Sequence, residues 1–436
     1  MTQSSVIAVQ RPPSTWATDF VLTGAVLFNA FLALINANAI GLNSSEVIGF
    51  EAVIDAAAIG LSLRRRDPMQ QRWIALAIFI VVVDLVNAIG SGFDPKFLRD
   101  ALIIPIFVLL GLTSDRDSAI RVIVRLQWIV LIVMMFEAIR PDDFGRIFNV
   151  TLYYINTRGF EQSQFWSQDA SDLFVSAMRP GERFLMAFLN IHRLSSVFLE
   201  PVSLGNYCVI VTMVLVSLWD RIGLRDRVFL AISSAMILVG CDGRFATTTI
   251  LIVIAMRFVA PALPRYVNVI YLPGMLIAAW AVVSWAQLTP GGDDFPTRTA
   301  GSIVDLSQMD VLALLGAEGS YAYQVMDSGI AYLLYSQSVI GAAAIWIVVA
   351  LGLPQRDRAS IVFSHTASIY VVLNLLISYS MFSIKTAALL WFVFGALARA
   401  TSAREAPAAV QRPFAASLRP QSMSLGEAGL SRGAET

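Results

Sequence analysis

Twelve apolar blocks, most of them long enough to cross a bilayer, constrain the fold of this chain more than any other feature. The blocks cover residues 18–38, 46–63, 72–91, 97–113, 122–139, 202–219, 228–245, 245–260, 267–288, 329–352, 360–379 and 384–399. A hydrocarbon core about 30 Å thick requires roughly 17 to 25 apolar residues per helix. Only 14% of the residues are charged, against about 25% in soluble domains. The sequence therefore predicts an all-α polytopic membrane protein with about 12 transmembrane helices, spanning residues 18–399.

Arginine and lysine are distributed unevenly among the short loops between these blocks. If the N-terminus is cytoplasmic, alternate loops hold Arg64, Arg65, Arg66, Arg72, Arg116, Arg121, Arg221, Arg225, Arg227, Arg257, Arg265, Arg356 and Arg358. The opposite short loops hold only Lys96, Arg99, Arg244 and Lys385. Because cytoplasmic loops are enriched in basic residues, both termini are predicted to be cytoplasmic: residues 1–17 and a disordered tail over 400–436. The two long segments, about 140–200 and 289–328, are then periplasmic.

Several function classes lack any signal in the sequence. The net charge is zero, so no global field indicates a nucleic-acid partner. The two histidines are too few for a zinc site, and no glycine-rich nucleotide-binding motif is present. We therefore predict no metal, no cofactor and no nucleic acid.

One chemically informative stretch runs from residue 179 to residue 207 and reads RPGERFLMAFLNIHRLSSVFLEPVSLGNY. Pro201 suits the first turn of a helix, which makes Glu200 the predicted N-cap of the sixth span. Arg193 lies seven residues earlier, on the same face if the segment is helical. The pair could hold a phosphate group and deprotonate a neighbouring group. Alternatively, Glu200 complements the helix dipole and Arg193 reaches lipid headgroups.

Two further stretches place charged residues where membrane spans begin. Arg244 interrupts apolar sequence in CDGRFATTT, which predicts either a functional cation or an interfacial arginine bound to lipid phosphate. The blocks that meet near Gly243 could also form one interrupted helix. Asp327 and Ser328 precede the tenth span, where either could be an ordinary N-cap.

Acidic residues also occur within the predicted spans. Asp55, Asp84 and Glu137 lie inside apolar blocks, and Arg125 could pair with any of them. Structural pairing is the simpler interpretation, while a proton relay would indicate a transporter or flippase.

These stretches resemble the O-antigen polymerase and ligase superfamily, and the chain looks most like the xanthan-type exopolysaccharide polymerases. Arg193 in RLSSVFLEP matches an R-x-x-S/G-x-F-x-x-P-type stretch, and Arg244 in DGRFA matches a G/S-R-x-A-type stretch. Ligases of the superfamily carry a histidine where this chain has Asp327, which weakens the expectation of a ligase.

The resemblance implies a GT-C-like fold and inverting glycosyl transfer between undecaprenyl-diphosphate-linked oligosaccharides in the bacterial inner membrane. It implies partners in a flippase and a chain-length regulator, besides membrane lipids. Arginine suits a lipid diphosphate because its charge is permanent and its geometry bidentate. The expected diphosphate ligands are Arg193, Arg244, Arg183 and Arg179. The expected base is Glu200, with Asp327 and then His192 as the next candidates.

Overall fold

The computed structural model describes residues 16–64, 67–161, 173, 177, 183–188, 191–292, 294–325 and 327–403, which form helices and turns without any strand. The helices are α1 (Trp16–Asn38), α2 (Ser44–Ser62), α3 (Pro68–Ser91), α4 (Pro95–Gly111), α5 (Arg116–Ile139), α6 (Pro141–Phe148), α7 (Val150–Arg158), α8 (Pro201–Ser217), α9 (Leu224–Cys241), α10 (Arg244–Val259), α11 (Val267–Ala286), α12 (Phe295–Ser307), α13 (Val311–Leu314), α14 (Gly329–Gly352), α15 (Arg358–Leu375) and α16 (Ile384–Ala403).

Each of the twelve apolar blocks coincides with one helix. The two blocks that meet near Gly243 form separate helices, because Asp242 ends α9 in the left-handed conformation (φ 49°) before α10 begins. Six helices of the described chain are long and apolar enough to cross a membrane: α1, α3, α5, α10 with the turn that follows it, α11 and α14. The 17-residue α8 is shorter but equally apolar. The chain is thus a helical membrane protein.

The helices differ in how far they are buried within the bundle. Almost every residue of α8 is buried, which is the pattern of a helix surrounded by others. In contrast, α11 buries only Asn268 and Ala279 and exposes Trp280 and Trp285. Large apolar side chains on an outer face are expected where lipid replaces water.

The described parts of both long connecting segments lie at one end of the bundle, which we name the loop end. Short turns join most consecutive long helices, so neighbours run antiparallel. Helices α8, α10, α14 and α16 begin at the loop end. The first long segment contains α6 and α7, and the second contains α12 and α13.

Two glycines bring the backbones of α4 and α16 into contact. A Cβ atom on Gly111 would collide with the carbonyl oxygen of Phe392, and one on Gly395 would collide with that of Val108. No side chain larger than hydrogen therefore fits at either position without moving the helices apart.

Candidate active site

A narrow pocket at the loop end is lined by three arginines from separate parts of the chain. Arg193 precedes α8, Arg244 is the first residue of α10, and Arg298 lies in the first turn of α12. The pocket has a volume of about 70 Å³, several times the ~10–15 Å³ that one water requires. The three side chains thus border a space large enough for a small anionic group.

Three helices begin at this pocket. Its lining includes Val202 and Gly205 of α8, Gly243 and Ala246 at the start of α10, and Phe295 of α12. Within the described chain, the side chains of the N-cap residues of α8 and α10 accept no hydrogen bond from a backbone N–H of the first turn. Because helix N-termini carry partial positive charge, the backbone and the arginines favour an anion at the same place.

Arg244 is exposed at the pocket, and its charge affects the Asp294 carboxyl at the start of α12. Its guanidinium carbon lies 5.8 Å from the centre of the Phe184 ring. Hydrogen bonds from Thr297, followed by the charge of Arg244, hold the pKa of the Asp294 carboxyl below its usual range. Asp294 is the N-cap of α12, so the starts of α10 and α12 are electrostatically coupled. The location of Arg244 in this pocket favours a role in binding an anion there over the alternative of an interfacial arginine bound to lipid phosphate.

Arg193 is fixed in the pocket wall by the end of α9. Its side chain is buried, with the residue 5% exposed, and Nε–H donates to the carbonyl oxygen of Cys241 at 3.1 Å. Arg183 also supports this wall, because it donates to the carbonyl oxygens of Ile191 and His192, both at 3.1 Å. Arg183 therefore holds the segment that carries Arg193. Arg179 lies outside the described residues.

His192 belongs to a cluster around Glu137, at the end of α5. Glu137 is fully buried and accepts hydrogen bonds from the N–H and the hydroxyl of Ser195, both at 2.9 Å. His192 Nε2 lies 3.3 Å from a Glu137 oxygen. Arg125 does not pair with Asp55, Asp84 or Glu137, the partners that the sequence offered for it. Arg125 pairs with Asp19 at 3.0 Å instead.

Glu200 is the N-cap of α8, as predicted, but its carboxylate binds two cations that the sequence interpretation did not consider. Lys385 Nζ lies 2.5 Å from Oε2, and Arg158 donates to Oε1 at 3.0 Å. Burial raises the pKa of Glu200, but Lys385 and Arg158 outweigh it and lower the pKa to about 2. The segment between Arg193 and Glu200 contains only one 3₁₀ turn rather than the helix that the spacing argument assumed, and Glu200 is not among the residues that line the three-arginine pocket. Seven-residue spacing therefore does not place them on one face.

A second ionic cluster lies on α2 and α4. Arg99 contacts Glu51 at 3.0 Å and Asp100 at 2.6 Å, and Lys96 lies 3.4 Å from Asp100. Each carboxylate of this cluster thus has a basic partner, so that no charge of the cluster is left uncompensated in the bundle.

Asp327 stands beside the three-arginine pocket. Its side chain is 89% exposed, and Oδ1 lies 3.6 Å from Nη1 of Arg298. The N-cap of α14 is Ser328, whose hydroxyl accepts a hydrogen bond from the N–H of Ala331 at 3.3 Å. Asp327 is therefore free of the capping role and contacts a pocket arginine, whereas Glu200 and His192 bind other partners.

Arg298, Arg158 and Lys385 are the site residues that sequence reasoning did not identify. Arg298 is the single arginine of the acidic segment 289–328, which was the available signal. Lys385 is one of only two lysines and stands at the start of an apolar block. For Arg158 we find no sequence signal.

No family model matches the chain, and neither a curated protein nor a solved structure shows detectable similarity to it.

Proposed function

We propose that the protein polymerises undecaprenyl-diphosphate-linked oligosaccharide repeat units into exopolysaccharide at the periplasmic face of the bacterial inner membrane. The observation that carries the proposal is the convergence of Arg193, Arg244 and Arg298 with three helix starts at one pocket. In this proposal all twelve long helices cross the membrane in a GT-C-like arrangement, and a flippase and a chain-length regulator act in the same pathway.

The chemistry requires a cationic pocket for a specific reason. A hydroxyl of the acceptor sugar attacks the anomeric carbon of the donor, a glycosidic C–O bond forms, and the bond to the lipid diphosphate breaks with inversion. Negative charge grows on the departing diphosphate. Fixed guanidinium groups and helix dipoles stabilise that charge without reorganising during the reaction.

Asp327 is the carboxylate that the geometry supports as general base. The acceptor hydroxyl must lose its proton to a group within hydrogen-bond reach. Asp327 is exposed to an incoming acceptor, and its contact with Arg298 keeps it beside the proposed diphosphate site. Glu200, held by two cations, is the weaker candidate despite the sequence-based preference for it.

One observation favours a transporter as a second candidate function. Helix α14 is interrupted at Ser338 (φ 57°, ψ 169°), and broken helices line the ion sites of many transporters. Asp84, on the packed face of α3, is buried, and one of its carboxylate oxygens has no hydrogen-bond partner in the described chain.

The proposed topology makes a direct prediction about reporter fusions. Alkaline phosphatase is active only outside the cytoplasm, so fusions after Gln168 and Leu315 should be highly active. Fusions after Arg66 and Arg358 should be inactive, because they lie in the loops that the arginine distribution assigns to the cytoplasm. An inactive fusion in either long segment would contradict the periplasmic site.

A deletion strain complemented with variants tests the polymerase. Loss of a polymerase should leave lipid-linked single repeats and no polymer. Loss of a ligase should leave long polymer on the lipid carrier, and loss of a flippase should leave single repeats on the cytoplasmic side.

In the deletion strain, a gene that encodes Arg244→Lys should restore roughly a tenth of wild-type polymer or less, because lysine keeps the charge but loses the bidentate fork.

Arg146→Lys is the matched control for this experiment. Arg146 is an exposed arginine of the first long segment, at the same end of the bundle as Arg244, and its ion pair with Asp143 is long, at 3.8 Å. It should complement like the wild type. Full complementation by Arg244→Lys would remove Arg244 from the mechanism.

A further inference from the structure

An open groove lies between α8, α9 and α10, far from the three-arginine pocket and toward the opposite end of the bundle. It encloses about 420 Å³ and is lined mainly by apolar side chains such as Leu215, Leu238 and Ile254. Ala231 and Ala235 of α9 are exposed along it, so the groove opens sideways to the surroundings of the bundle. In a membrane protein those surroundings are lipid chains.

The end of the groove away from the loop end is basic and aromatic. Trp219 and Arg257 both line it. The Trp219 ring lies 4.7 Å from the guanidinium carbon of Arg227 and 5.6 Å from that of Arg257. Arg257 also contacts the exposed Asp220 at 3.6 Å. Nε–H of Arg227 is buried and has no hydrogen-bond partner within the described chain.

We infer that this groove binds one anionic phospholipid. An acyl chain lies along α8 from Thr212 to the turn that follows this helix and carries Trp219, a length of about 10 Å at roughly 1.5 Å per residue. The phosphate lies at Arg227 and Arg257, since basic pockets between membrane helices bind anionic headgroups. Trp219 marks the headgroup level, where amphipathic aromatic rings are favoured.

The groove is distinct from the proposed donor site, because its cations stand at the other end of α8 and α10. The inference does not depend on the proposed polymerase. It depends on the lipid exposure of α9 and α10 and on the two arginines.

Native mass spectrometry of the purified full-length protein tests the inference. We expect phosphatidylglycerol to bind roughly 30-fold tighter than phosphatidylcholine with the same acyl chains, the factor expected for two basic residues at a membrane surface. Arg257→Gln should lower this preference to about fivefold. Arg225→Gln, a change in the first turn of α9 at a residue that does not line the groove, should leave it unchanged.

A second pair of variants tests the groove itself. Ala235→Trp fills the groove and should reduce retention of both lipids at least fivefold. Met236→Trp, at the adjacent exposed position outside the groove, should not. Gel filtration in detergent verifies that each variant is folded. Equal binding of the two phospholipids, full retention by Ala235→Trp, or tighter binding of a polyprenyl phosphate than of phosphatidylglycerol would overturn the inference.

Discussion

Asp327→Asn should reduce polymer synthesis by about 10²- to 10⁴-fold, the usual contribution of a general base. Asparagine has nearly the same size but cannot accept the proton of the attacking sugar hydroxyl. Because the Asp327 side chain is 89% exposed, the amount of protein in the membrane should not change. Polymer length and yield, measured in the complemented deletion strain against membrane protein level, provide the readout.

Asp142→Asn is the matched control for this variant. Asp142 is an exposed acid of the other long segment, so removal of its charge should leave polymer at the wild-type level. Normal polymer from Asp327→Asn would exclude Asp327 as the base and direct attention to Glu200 and then His192.

Glu200→Gln should act mainly on stability, lowering the free energy of unfolding by roughly 3–5 kcal/mol, as when one partner of a buried ion pair is removed. Lys385 has a side chain only 3% exposed and would lose its carboxylate partner, as would Arg158. The expected observations are lower thermal stability in detergent and less protein in the membrane. Because the pKa of Glu200 is lowered to about 2, its contribution to stability is fully present above about pH 4.5 and is lost progressively as the pH falls from there through about 2.

A double variant separates stability from catalysis at this position. Glu200→Gln combined with Lys385→Gln removes the unpaired lysine and should recover part of the lost stability together with part of the activity. Recovery of stability without polymer, or a stable but inactive Glu200→Gln protein, would instead make Glu200 the base.

The helices could be predicted from the sequence because membrane spans are specified locally. Each span needs its own run of apolar residues, so the block from 329 to 352 coincides with α14 without reference to the rest of the chain. The break at Gly243 was also visible, since a glycine beside a charged residue interrupts an apolar run. The sequence did not decide whether this region forms one interrupted helix or two separate helices, because the answer depends on the left-handed conformation of Asp242.

The site could be predicted only in part because its contacts join distant residues. The partners of Glu200 lie 42 and 185 positions away along the chain, and the periodic spacing of residues in a sequence does not indicate pairs so far apart. Arg193 and Arg244 were found through local motifs, whereas Arg298 reaches their pocket only through the packing of α12. The seven-residue argument failed because it assumed a helix where the chain makes a single tight turn.

The close contact of α4 and α16 also bears on how the protein is made. Gly111 meets its partner Gly395 only after roughly 280 further residues have been synthesised, on the order of 15 to 60 s at common translation rates. Until α16 has been made, α4 lies in the bilayer with Arg99 and Asp100 but without its main neighbour. Glu200 lacks its partner Lys385 during the same period. Chains that lack α16 should therefore be degraded by membrane proteases, so that stable accumulation of the protein depends on the synthesis of this helix.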